Sequence, residues 1–122
     1  MVDAEPGNEH QPAREPNDIG RLLLARMNAG DIDGVVALYE PDAVLALPDG
    51  TVAAGHLAIR GFFEKALADR PTFVPGEQRP ALVSGDLALT STKLANGAVT
   101  AEVARRQPDG TWRWAADQPS VQ

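Results

Sequence analysis

The chain has 122 residues, of which 43% are hydrophobic and 23% charged, with a formal net charge of −6 and a pI near 4.7. That suits one globular domain and argues against nucleic acid, since affinity for a polyphosphate needs clustered Lys and Arg; only Arg105-Arg106 are adjacent, with Glu102 close by. An anionic membrane face is disfavoured for the same reason, no apolar run approaches the ~20 residues that cross a bilayer, and the lack of cysteine removes disulfides, thiolate nucleophiles and thiolate metal sites.

The first residues, MVDAEPGNEHQPAREPND, hold Pro6, Pro12 and Pro16 among polar side chains and contain no apolar leader. Residues 1–16 read as a flexible tail ahead of a single domain over 17–122. With no leader and no cysteine, a cytoplasmic location is expected. The first helix is placed at about Asn17 to Met27, capped by Asn17 or Asp18. Ile19, Leu22, Leu23 and Met27 form its apolar stripe, and Gly30 supplies the stop. Asp31 caps a second, short helix reaching about Tyr39. Pro41-Asp42 turns the chain into a strand, Ala43 to Leu47, and Pro48-Asp49-Gly50 turns it again. A third helix, His56 to about Ala68, buries Leu57, Ile59, Phe62, Phe63, Ala66 and Leu67.

After Pro71 the pattern is that of strands. Thr72 to Val83 is bulged or an edge, because Pro75-Gly76 and Pro80 interrupt it. Leu87 to Lys93 and Ala98 to Gln107 flank Asn96-Gly97, the strongest hairpin signal in the chain. Pro108-Asp109-Gly110 leads into Thr111 to Asp117. Three helices followed by a meander give an α+β domain with helices on one face of a curved antiparallel sheet.

Three blocks carry a resemblance: Ala-Gly-Asp-Ile-Asp-Gly at 29–34, Leu-Tyr-Glu-Pro-Asp-Ala at 38–43, and Gly55 followed by Ala58-Ile59-Arg60-Gly61-Phe62-Phe63. Together they resemble the SnoaL-like, ketosteroid-isomerase-like superfamily with the nuclear transport factor 2 fold, from about Ile19 to Val121. The resemblance implies a cystatin-like cone around an apolar pocket. It also implies positions for the isomerase chemistry, which uses an Asp base with a Tyr and a protonated Asp that donate to the enolate oxygen. The base position falls on Leu47, the Tyr position on Leu23 and the second Asp, allowing a one-residue gap in a turn, on Val103. All three are aliphatic, and a side chain without a lone pair accepts no proton.

The candidate catalytic residue is then Asp117, on the last strand, near where some SnoaL-like polyketide cyclases carry a proton-shuttling acid. Arg113 shares its face if the strand is regular. A two-residue loop at 108–110 sets Glu102 opposite Asp117, where the two carboxylates repel or share a proton; a three-residue loop sets Arg113 beside Arg105 or Gln107. His56 is a second candidate base. His10 and His56 have no metal-ligand spacing, and no cofactor is implied. Leu45 and Leu47 share a strand face, and Phe62 lies on the stripe of Ile59 and Ala66. Leu23, Met27, Tyr39, Leu45, Leu47, Leu57, Phe62 and Phe63 are therefore expected to line a cavity for an apolar, ring-sized ligand. The outer sheet face and Trp112 and Trp114 lead to the expectation of a homodimer. Three functions fit: an isomerase or cyclase using Asp117, a non-catalytic binding protein with the same pocket, or a dimerisation scaffold with a filled cone.

Overall fold

The computed structural model of the protein describes residues 11–121. α1 (Asp18–Ala29) and α2 (Ile32–Val36) lead, then β1 (Tyr39–Ala46) and β2 (Val52–Ala54), then α3 (His56–Ala66). The strands β3 (Glu77–Gln78), β4 (Leu82–Ser84), β5 (Leu87–Thr90), β6 (Thr92–Lys93), β7 (Ala101–Arg106) and β8 (Trp112–Gln118) follow.

The α1–α2 corner follows from the block at 29–34. Gly30 takes φ 70°, a left-handed position that a side chain resists, and its N–H closes the last turn of α1. Asp31 then caps α2 by accepting the Gly34 N–H at 2.9 Å. A Cβ on Gly34 would collide with that same carboxylate and with Arg26. At the start of α1 the expected cap is absent. Asn17 makes no side-chain cap bond, and Asp18 instead accepts the N–H groups of Arg14 and Glu15, at 3.1 and 3.0 Å, and pairs with Arg21.

Several boundaries differ from the sequence reading: β1 takes in the expected turn at Pro41-Asp42, and the strand expected from Leu87 to Lys93 divides into β5 and β6. The second helix stops at Val36, and Tyr39 begins β1 instead, because the Leu38 carbonyl and Tyr39 pair with Trp114 across the sheet. Residues 1–10 of the expected tail lie outside the described residues. From Gln11 onward the segment packs against the domain: Ala13 is buried and its carbonyl accepts the Trp112 N–H at 2.9 Å. The Gln11 carbonyl accepts from Arg26, a buried guanidinium that also donates to the Gly34 carbonyl at 2.8 Å. Burial lowers the pKa of Arg26, and Asp31 opposes that by favouring its charged form. The polar side chain at position 26 thus joins α1, α2 and the leading segment from inside.

The main sheet has strand order β2-β1-β8-β7-β5-β4, antiparallel throughout except for β1 against β8, which run parallel. The stretch 72–83 divides, as its prolines require: β3 pairs with β6 in a separate two-stranded ribbon, while β4 forms an edge of the main sheet. α1 and α3 cover one face. Between them and the sheet lie Ile19, Val35, Tyr39, Leu45, Ile59, Phe63 and both tryptophans. Tyr39 sits at the centre, 5.6 Å from Trp114 and 6.2 Å from Phe63 between ring centroids. Such contacts add ~0.5–1.5 kcal/mol each beyond the buried area. The architecture is the expected α+β one, with a largely antiparallel sheet carrying helices on one face.

Candidate functional site

The site begins with an irregularity in β8. Near the 108–110 turn the register pairs Arg106 with Trp112, Arg105 with Arg113 and Ala104 with Trp114. Beyond it, Val103 pairs with Ala116 and Glu102 with Asp117. Ala115 is therefore an extra residue on β8, a β-bulge. Strand side chains alternate between faces, so one extra residue inverts the alternation. Trp112, Trp114 and Asp117 all end on the buried face. Both registers left open by the sequence are thus present, one on each side of the bulge. Arg113 consequently does not share a face with Asp117, and it pairs across the strands with the exposed Arg105.

Asp117 is 8% exposed and Glu102 5%. Directly opposed residues on antiparallel strands have Cβ atoms ~4.5–5.5 Å apart. The two carboxyl groups are thus close neighbours in a poorly solvated interior. Asp117 accepts a hydrogen bond from the Tyr39 hydroxyl at 2.6 Å. Burial raises its pKa to about 7; the Tyr39 bond pulls down and the Glu102 charge pushes up. Tyr39 is itself raised well above its ordinary value, first by burial and then by Asp117. Glu102 is raised by burial alone and held back by hydroxyls. Thr90 donates to it at 2.6 Å. Thr100 also bonds it, and since the Thr100 oxygen already accepts the Thr92 N–H at 3.0 Å, its proton is free for Glu102.

A cavity of about 310 Å³ opens beside this pair, between α1 and the sheet. Leu23, Leu24 and Met27 form the helical wall, Val74–Gly76 closes one side, and Thr100, Glu102 and Trp114 form the sheet wall. Its lining is mostly apolar, with Glu102 as its buried charge. The Trp114 indole nitrogen is buried with no hydrogen-bond partner. Among the described residues, no group of three or more His, Asp or Glu side chains is placed to hold a metal ion.

Of the residues expected to line a cavity, Leu23 and Met27 line this one and the other six do not. Tyr39, Leu45 and Phe63 fill the core solidly, and Leu47 and Phe62 pack half-buried against it. Leu57 is 85% exposed, because α3 turns Ile59 and Phe63 inward, four residues apart, and Leu57 falls on the far side. The Tyr39 hydroxyl, on a residue expected to line the cavity, is inside and bonded to Asp117. Asp117 stands behind the cavity wall, and Glu102 faces the cavity in its place. His56 is occupied elsewhere, its Nε2 lying 2.7 Å from the Tyr39 carbonyl oxygen. Val103, aligned with the second acid of the isomerases, points to the outer face. The residue that points inward from that strand is its neighbour Glu102. The alternation Thr100-x-Glu102-x-Ala104 on a buried face was the available signal, and its direction depended on the pairing register.

The fold recurs among solved structures. A ketosteroid isomerase-like protein from Erwinia carotovora atroseptica is 22% identical, with TM-score 0.65 over 83% of this chain and 88% of its own. An NTF2-like protein with a cystatin-like fold from Novosphingobium aromaticivorans is 21% identical, with TM-score 0.62 over 82% and 75%. A protein from Catenulispora acidiphila, solved in complex with S-DNPA, is 16% identical, with TM-score 0.60 over 83% and 86%. These likenesses establish the cystatin-like fold. The sequence profile of the SnoaL-like domain matches residues 21–117, from the first turns of α1 to the buried acid of β8, and the chain belongs to the SnoaL-like domain family.

Proposed function

We propose that this protein binds a compact, mostly apolar small molecule in the cavity between α1 and the sheet, and that the Glu102–Asp117 pair exchanges a proton with it, as an isomerase or cyclase would. One observation carries the reading: a buried carboxyl group, Glu102, faces a mostly apolar cavity and stands directly opposite a second buried carboxyl, Asp117. Two such groups in low dielectric hold a shared proton near neutral pH, the condition for acid–base work. Glu102 makes the contact, and Asp117, oriented by Tyr39, sets how readily Glu102 is charged. The relative in complex with S-DNPA adds a precedent for ligand binding on this fold. The non-catalytic alternative keeps the same cavity and draws on the position of Asp117 behind its wall.

Titration of a chemically diverse set of small compounds, followed by NMR, tests this. Shifts are expected at Leu23, Met27, Thr100, Glu102 and Trp114, and Leu23→Trp, which fills the space, should abolish them. Silence at these residues across the whole set would leave the scaffold reading.

We propose also that the protein is a homodimer through the outer sheet face. Leu82, Leu89, Val103, Ala116 and Val44 lie in cross-strand register from β4 to β1, and all but Ala116 are exposed. A contiguous apolar band of this kind favours a partner of the same character, and a second copy presents the same band. Sedimentation at micromolar concentration should show a dimer; a clean monomer would refute it.

A further inference from the structure

The polar wall of the cavity is chemically incomplete. Glu102 has hydroxyl partners, Thr90 and Thr100, which donate to it and so favour its carboxylate form. Among the described residues it has no cationic partner. The other charged residue lining the cavity is Arg21, which pairs with Asp18 and keeps its side chain largely in water, 63% exposed. Behind the wall stand Asp117 and Tyr39, one acidic and one neutral. A buried carboxylate without a countercharge is costly. Besides the neutral polar side chains of Gln78, Thr92 and Thr100, the lining is mostly apolar, with Leu23, Leu24 and Met27 on α1.

We infer that the cavity is built for an amine: a ligand whose ammonium group pairs with Glu102 while its apolar skeleton lies against the leucines and Met27 of α1. The inference rests on the small-molecule cavity proposed above and adds the charge of its ligand. An ammonium supplies the countercharge that no side chain supplies, and an indole beside a bound cation adds to its attraction. The net charge of −6 raises the local concentration of cations and lowers that of anions. When the amine is seated, Glu102 is held ionised and the proton shared by the pair stays on Asp117.

The probes are 2-phenylethylamine and its neutral counterpart 2-phenylethanol, titrated by calorimetry and by NMR shifts of Trp114 and Met27. The amine should bind at least about tenfold more tightly at pH near 8, and the preference should shrink on acidification as Glu102 takes up a proton. Glu102→Gln, which keeps the shape and the acceptor oxygen, should bring the two probes to within about twofold. Should that variant fail to fold, the pH dependence of the wild-type preference decides. Equal binding of both probes by the wild type, or a preference that survives Glu102→Gln or acidification, overturns the amine inference and leaves the cavity reading intact. If neither probe shifts the cavity residues, the amine inference falls, and the diverse compound set decides the cavity reading.

Discussion

Glu102 of β7 and Asp117 of β8 face each other across the strands on the buried side of the sheet, and only the extra residue Ala115 makes this possible. Without the bulge, Asp117 and the two tryptophans would lie on opposite faces. The site therefore depends on a backbone irregularity as much as on its side chains.

Asp117 should make the protein less stable as pH rises. Its pKa in the folded state, about 7, lies above that of an unfolded Asp, ~3.9. Between these values the folded chain holds a proton that the unfolded chain has lost. The stabilisation is complete below about pH 4 and disappears as pH climbs through 7. Its upper bound is roughly 4 kcal/mol. Urea unfolding of wild type and Asp117→Asn from pH 5 to 8 checks this: the difference between them should grow with pH, the Asn variant being relatively more stable at pH 8.

Tyr39→Phe should move the Asp117 titration upward. The Tyr39 hydroxyl donates to the carboxylate, so its loss destabilises the charged form. A stability loss of about 1–3 kcal/mol is expected above neutrality and less in acid. Carboxyl carbon NMR gives the titration directly, and an unchanged or lowered pKa would contradict the arrangement.

Deleting Ala115 should be far more harmful than Ala115→Gly. Deletion restores regular alternation and forces either Asp117 or the tryptophan pair to the outer face. Exposing a buried Trp costs about as much as truncating it, ~3–5 kcal/mol. Thermal melts and near-ultraviolet circular dichroism report the loss; a deletion variant with a native spectrum would refute the parity argument.

Val103→Asp should dissociate the proposed dimer. Val103 lies mid-band between Leu89 and Ala116, and a two-fold interface would bring two such charges into apolar surroundings. Weakening by about 2 kcal/mol or more, roughly 30-fold, is expected in sedimentation, with the monomer still folded.

No useful isomerisation of a Δ5-3-ketosteroid is expected. The resemblance puts the Tyr and the base of that mechanism at Leu23, which lines the cavity, and Leu47, which packs beside the core, and neither side chain can carry a proton. Their combined loss removes roughly 10⁴-fold or more of acceleration. A steady-state assay with turnover sensitive to Leu23→Trp would contradict this.

Local chemistry alone determined much of this protein. Gly30 as the stop of α1, Asp31 as a cap, the third helix, the turn at 108–110, and an α+β order of elements are each set by residues a few positions apart. So were the likeness of the 29–63 region to its family and the absence of the isomerase residues at Leu23 and Leu47. Long-range pairing decided the rest. Tyr39 left the helix because Trp114 lies beside it in the sheet. Leu57 faced outward because Ile59 and Phe63 took the core. The cavity formed between α1 and the 74–76 segment, beneath residues that no local pattern brings together. Most of all, the faces of Glu102, Val103, Arg113 and Asp117 hung on one bulged residue. A side-chain period of two turns any one-residue uncertainty into a complete exchange of inside for outside, and only the pairing of whole strands resolves it.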